Sequence, residues 1–260
     1  RTLVLLPDDE LSRRTLGPLP SLPDTRKELE NLADLFDPYP SSHLLLGKAA
    51  TKDRLRSLNM SSYGTIAFAT HGLLGGDAQG LNEPALVLTP GEGQTLADGL
   101  LTASEIAKMD LNAELVILSA CNTNFDDKLP FVYPPAIEKR SSEILPNVIS
   151  GLSTAFFHAG AQSLMVTHWS IDSKVAAFIT TTTIKRYRAR PKLGLSNALT
   201  YTIDKVRAEP GWDHPRFWAP FSVIGATHIA HESIKIPDSV FMWEHGEDEA
   251  RLTWGQDDGP

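Results

Sequence analysis

Two short runs, TIAFAT at 65–70 and ELVILSA at 114–120, constrain the fold most. Each is apolar at nearly every position rather than at every second one. A strand with one face in water alternates, whereas a strand covered on both faces does not. Both runs therefore predict interior strands of a parallel sheet, and such a sheet needs helices on each side. The rest of the chain supplies them. RKELENLADLF places Leu29, Leu32, Leu35 and Phe36 at helical spacing, with Asp24 and Thr25 as possible caps. Thr51 opens TKDRLRSL, and Thr102 with Glu105 forms a capping box for TASEIAKM. NVISGLSTAFFHAGA, SKVAAFITTTTIKRYRA and LGLSNALTYTIDKVRAE, the last opened through Gly194, predict three more helices.

Further strands are predicted at TLVLL (2–6), HLLLG and SLMVTHW. FWAPFSVIG is predicted as a last strand, with Pro220 implying an edge or a bulge. Glycine-rich residues 72–101 predict a small hairpin or extended arm. Residues 122–146 predict a long polar loop, unusual inside a compact domain. The alternation of strand and helix gives an α/β fold, a three-layer sandwich with a mainly parallel central sheet and helices on both faces.

Charge divides the chain unevenly. The net charge is −8, and residues 232–260 alone carry eight acidic side chains against Lys235 and Arg251. This marks residues 1–230 as the folded domain and 231–260 as an acidic tail or appendage, whose apolar SVFMWEH is able to dock on the main body. The acidic balance argues against direct nucleic-acid binding. No apolar run reaches the roughly 20 residues of a membrane span. No signal peptide is visible, and a start at Arg1 rather than Met fits a piece cut from a longer polypeptide. A single cysteine leaves no internal disulfide, which fits a reducing, cytoplasmic setting and leaves Cys121 free for chemistry.

In parallel sheets, sites lie beyond the carboxyl ends of the strands. His71 and Cys121 each follow one of the two buried runs. If those strands are neighbours, an imidazole and a thiol emerge on one rim. A histidine able to take the thiol proton and return it to a leaving amine makes a cysteine an effective nucleophile. Gly72 lets the backbone approach closely, and its N–H together with that of Cys121 forms a candidate oxyanion hole. No histidine spacing suggests a zinc site, no G-x-S-x-G elbow is present, and neither a metal nor a cofactor is expected.

Five blocks carry a resemblance: DTRKELENLADLF, ATHG, DGLLTASEIAKMDLNAELVILSACNT, GLSTAFFHAGAQSLMVTHWSID and FWAPFSVIG. In this order they resemble the CHAT family of caspase-like, separase-related cysteine peptidases. The resemblance covers most of residues 20–226. It implies a caspase-like fold, His71 as general base, Cys121 as nucleophile, and Gly72 with the Cys121 backbone as oxyanion donors. It also implies partner-regulated cleavage of a protein substrate inside bacterial cells, often downstream of helical repeats. After the cysteine the family pattern is Glu-Thr-Gly, where this chain has Asn122-Thr123-Asn124.

Candidate substrate-binding residues are Asp77, Asn122, His168, Trp169 and Asp172. Related peptidases use an acid near Asp172 to bind a basic P1 side chain, but its place before Ser173 favours a helix cap. Trp169 serves a pocket or the core equally well, and Asp77 reads more simply as a solvated loop carboxylate. Lys139 and Arg140 make the 122–146 loop a candidate cleavage point, a surface excursion being the simpler reading. The competing functional expectation is an inactive relative that keeps the fold as a protein-interaction module.

Overall fold

The computed structural model describes residues 25–36, 44–76, 80–119, 151–169, 171–226 and 238–243. The predicted strand at 2–6, the loop at 122–146 and the residues Asp77, Cys121 and Asn122 lie outside them.

Strand β1 (Leu44–Leu46) precedes the short helix α2 (Lys52–Arg56), which follows α1 (Thr25–Phe36) in the chain. The Thr51 hydroxyl caps α2 by accepting from Arg54 N at 3.1 Å. β2 (Tyr63–Ala69) is buried along its whole length, as its unbroken apolar run predicts. Next come β3 (Gly72–Leu73), β4 (Ala85–Val87), α3 (Leu96–Gly99), β5 (Leu100–Thr102) and α4 (Ala103–Ile106). The Thr102–Glu105 capping box is present, and Glu105 also accepts from Lys52 Nζ and Arg56 Nη2, each at 2.9 Å. That ion-pair cluster ties α2 to α4.

β6 (Leu115–Ser119) is again wholly buried. Residues 151–158 form a helix, α5, and the chain returns as β7 (Ser163–Thr167). Gly160 makes that return possible at φ +106°, and a Cβ there would collide with the Leu111 carbonyl oxygen. α6 (Ser173–Ala189) and α7 (Leu195–Ala208) follow, then α8 (Pro215–Trp218), β8 (Phe221–Gly225) and β9 (Asp238–Trp243).

Six strands make one sheet in the order β1-β9-β2-β6-β7-β8, parallel throughout except for β8. Strand pairing keeps Ala67, Ala69, Ile117 and Ser119 on one face and Ile66, Phe68, Val116 and Leu118 on the other. On the first face Ser119 meets Glu28 of α1, and α6 packs between α1 and α7. On the second, Phe156 of α5 lies against Phe68, ring centroids 5.4 Å apart. The predicted α/β sandwich with helices on both faces is thus present, in the arrangement of a caspase-like fold.

Two segments differ from the sequence reading. FWAPFSVIG is not one strand: Phe217 and Trp218 belong to α8, and pairing begins only after Pro220. Helix capping explains this, since His214 accepts from Arg216 N and Pro215 occupies the first helical turn. β8 is the edge strand that Pro220 predicted. The second difference is β9. It falls within the segment that charge groups with the tail, yet it lies between β1 and β2 inside the main sheet. The apolar SVFMW sequence outweighs the acidic residues flanking it.

The glycine-rich arm is a separate antiparallel sheet, β3-β4-β5, with a small core of Leu73, Leu81, Ala85, Val87 and Leu100. It begins one residue after His71, which therefore stands at the junction of the two sheets.

Candidate functional site at the β2–β6 rim

β2 and β6 pair in parallel without a break from Thr65↔Leu115 to Ala69↔Ser119. Every pair is offset by 50 residues, and the same offset separates His71 from Cys121. Neighbouring strands lie about 4.8 Å apart. The last pair, Ala69↔Ser119, stands two residues before His71 on one strand and two before Cys121 on the other. The two chain exits are therefore side by side, as the sequence reading required of the strands.

His71 is fully buried, and its backbone is held by the second sheet. Its carbonyl accepts from Val87 N at 2.9 Å, while the Thr70 hydroxyl donates to the Val87 carbonyl at 2.6 Å. This fixes the register of the next pair. Gly72 opposes Leu86 as a pair that exchanges no hydrogen bonds of its own, because the bond runs one residue out on each strand. The Gly72 N–H consequently points away from β4. β3 is an outer strand of its sheet, so no other strand of that sheet takes this donor.

β7 ends on the same rim, about 10 Å from β2 with β6 between them. His168 follows it directly. Its backbone N–H donates to the Pro220 carbonyl at 2.9 Å, and its Nε2 lies 2.6 Å from Ser222 Oγ on β8. Half-burial holds the imidazole below its ordinary pKa and favours the neutral ring. Trp169 is 38% exposed, and its indole N–H donates to the Arg216 carbonyl at 3.2 Å. That exposure places it at the surface rather than in the core. Asp172 caps α6, its Oδ1 accepting from Lys174 N at 3.0 Å and Val175 N at 3.3 Å. His71 and Gly72 are thus together at the β2 exit, while His168 and Trp169 stand at the β7 exit.

One buried polar side chain escaped the sequence reading. Glu28 on α1 is wholly buried, and Ser119 Oγ donates to its Oε2 at 3.3 Å. The Thr180 hydroxyl on α6 acts on the carboxyl as well, although its oxygen and Glu28 Oε1 are both buried without a hydrogen-bond partner. Burial pushes this carboxyl up to about 7, against the lowering effect of the Thr180 and Ser119 hydroxyls. A signal was available. Glu28 precedes Leu32 by four residues and Leu35 by seven, so it sits on the apolar stripe of α1.

Among the described residues, no three His, Cys, Asp or Glu side chains are close enough together to hold a metal ion. None of the described helices is long and apolar enough to cross a membrane.

The family model for the CHAT domain matches residues 3–226. Two curated relatives bear the name Tetratricopeptide repeat protein 28. The human protein is 25% identical over 258 residues, covering 85% of this chain and 9% of its own length. The mouse protein is 23% identical over 242 residues, with the same coverage of each. The chain therefore spans less than a tenth of the length of these relatives, and both are mammalian rather than bacterial proteins.

Proposed function

The chain belongs to the CHAT domain family, and from that premise we propose that it is a caspase-like cysteine endopeptidase domain working through His71 and Cys121. The observation that carries this reading is the unbroken parallel register of β2 with β6, whose offset of 50 residues is also the separation of the histidine and the cysteine. His71 takes the Cys121 thiol proton, and the thiolate adds to the scissile carbonyl carbon. The oxyanion that forms is met by the outward N–H of Gly72 and by the Cys121 backbone N–H. Such a donor contributes roughly 10²–10³ in rate. The tetrahedral species collapses, the C–N bond breaks, and His71 gives its proton to the leaving amine. Water, deprotonated by the same imidazole, then splits the thioester and regenerates the thiol.

His168 and Trp169, at the end of β7, and Asp172, at the start of α6, are the described residues of the candidate substrate-binding set in this reading; Asp77 and Asn122 complete it. The substrate is a protein, and control comes from a regulatory protein or from helical repeats preceding the domain. The tetratricopeptide repeats in the relatives' name support that setting. The setting is cytoplasmic, without direct nucleic-acid or membrane partners.

The relatives' printed name speaks of repeats, which supports a second reading: a CHAT module that has kept the fold for protein binding. A thiol-reactive peptide probe separates the two. Under the leading reading, labelling requires both Cys121 and His71, Cys121→Ala abolishes cleavage of a peptide library, and His71→Ala nearly does. Wild-type turnover in Cys121→Ala refutes the peptidase assignment. Labelling that is indifferent to His71→Ala refutes the dyad.

A further inference from the structure

Residues 185–208, from the end of α6 through α7, hold seven cations against one acid, Asp204, in a chain whose net charge is −8. Asp204 pairs with Arg207 at 3.6 Å. Among the described residues no carboxylate pairs with Arg186, Arg190, Lys192 or Lys205. Two of these cations lie over one ring: the Arg186 guanidinium carbon is 4.2 Å and Lys205 Nζ 5.4 Å from the centre of Tyr201. Tyr201 is 38% exposed, and Leu193, in the turn Pro191–Leu193 between the helices, is 44% exposed. Asn197, Tyr201 and Lys205 follow at four-residue steps and so share one stripe of α7. The Asn197 amide donates to the Leu193 carbonyl, which ties the turn to the head of that stripe. A cation in the last turn of a helix offsets its dipole, which accounts for Arg186 on α6 and Lys205 on α7. It does not account for Arg190 and Lys192, which lie beyond α6, or for a tyrosine and a leucine left in water among them.

This face is remote from the β2–β6 rim. α6 starts after the β7 exit and runs for 17 residues, so its end lies about 25 Å from its start. Burial and then the charge of Glu114 push the Tyr187 hydroxyl up, which puts the end of α6 beside the start of β6, at the far end of the sheet from His71. We propose that the α6–α7 face is a docking surface for an acidic segment of a partner polypeptide, whose carboxylates pair with Arg186, Arg190, Lys192 and Lys205 while an apolar side chain covers Leu193. Charge complementarity selects such a partner. A guanidinium meets a carboxylate through two parallel hydrogen bonds, and a guanidinium already laid on a ring loses less freedom in doing so. A nucleic acid fits less well. The net charge of −8 repels an extended polyanion, and Arg186 already occupies the Tyr201 ring on which a base would stack. A partner held here leaves the rim open, so docking is independent of the reading of Cys121 as a nucleophile.

The probe is a short fluorescein-labelled peptide of aspartate and glutamate with a central leucine, and its anisotropy is read on the full chain. Wild type is expected to bind it, more weakly as salt is raised. Arg186→Gln with Arg190→Gln is expected to weaken binding about five- to thirtyfold, two ion pairs being lost. Lys48→Gln with Lys108→Gln removes the same charge from exposed positions elsewhere, and is expected to weaken it less than about twofold. Arg190→Glu alone, at an exposed position, is expected to weaken binding in the same sense without touching half-buried Arg186. Absence of binding by wild type, or equal losses in the two double variants, overturns the proposal. So does retention of a single-stranded DNA oligonucleotide or of phosphatidylserine vesicles in place of the peptide. The chain's own acidic end is the remaining occupant. Neutralising Glu247, Asp248 and Glu249 is expected to leave the affinity unchanged; tighter binding that requires Arg186 and Arg190 assigns the face to that end and overturns the partner.

Discussion

Replacing Glu28 with glutamine should make the protein more stable, and only at the alkaline end. The carboxyl is held near 7 in the folded protein against 4.5 for an ordinary glutamate. Between those values the unfolded chain releases its proton while the native state keeps it. The native state therefore binds more protons, and stability falls as pH rises. The contribution is fully present below about 4.5 and is lost by the time pH passes about 7. At about 1.4 kcal/mol per unit, the loss amounts to about 3 kcal/mol. Glutamine carries no titrating proton and can still accept from Ser119. The difference between variant and wild type should be small near pH 4.5 and reach about 3 kcal/mol in favour of the variant at pH 8. Groups that titrate alike in both proteins cancel in that difference. Urea unfolding at intervals from pH 4.5 to 8 measures it directly. A difference that does not grow with pH, or a variant weaker than wild type at pH 8, refutes the account of a carboxyl raised by burial.

Two other substitutions probe the fold and the rim. Gly160→Ala should cost about 2–3 kcal/mol in urea unfolding, since it combines a positive φ with a clash against the Leu111 carbonyl; a neutral result would mean that the turn into β7 relaxes freely. Asp172→Ala should cost about 1 kcal/mol by removing the α6 cap, whereas Asp172→Asn should keep stability within a few tenths. If Asp172→Asn instead raises KM for peptides with a basic P1 residue, the carboxylate binds substrate as well as capping the helix.

What was legible in the sequence is what local chemistry decides. The bounds of α6, the Thr51 cap and the Thr102–Glu105 box follow from residues within four positions of one another, and the structure has them there. The unbroken apolarity of β2 and β6 also predicted burial on both faces. Placement across the sheet was harder. Nothing local to SVFMW tells it to enter between β1 and β2, because that choice depends on strands roughly 175 and 195 residues earlier and on the loop-closure entropy they must overcome. The β7-end pair of His168 with Ser222 is equally non-local, set by the antiparallel return of β8. Glu28 was missed for a different reason. Its helical position marks the inward stripe, but a glutamate is ordinarily taken to be solvated, and only the meeting of α1, α6 and β6 seals it.

The interior position of β9 bears on how the chain is made. A ribosome delivers β2 and its neighbour β6 long before residues 238–243 exist, so the nascent sheet carries an open seam beside β2 and leaves β1 without its partner. Closing that seam has to wait until residues 238–243 have been made. A fragment cut at the family boundary, residue 226, would keep the histidine and the cysteine yet present a raw backbone edge to any passing strand.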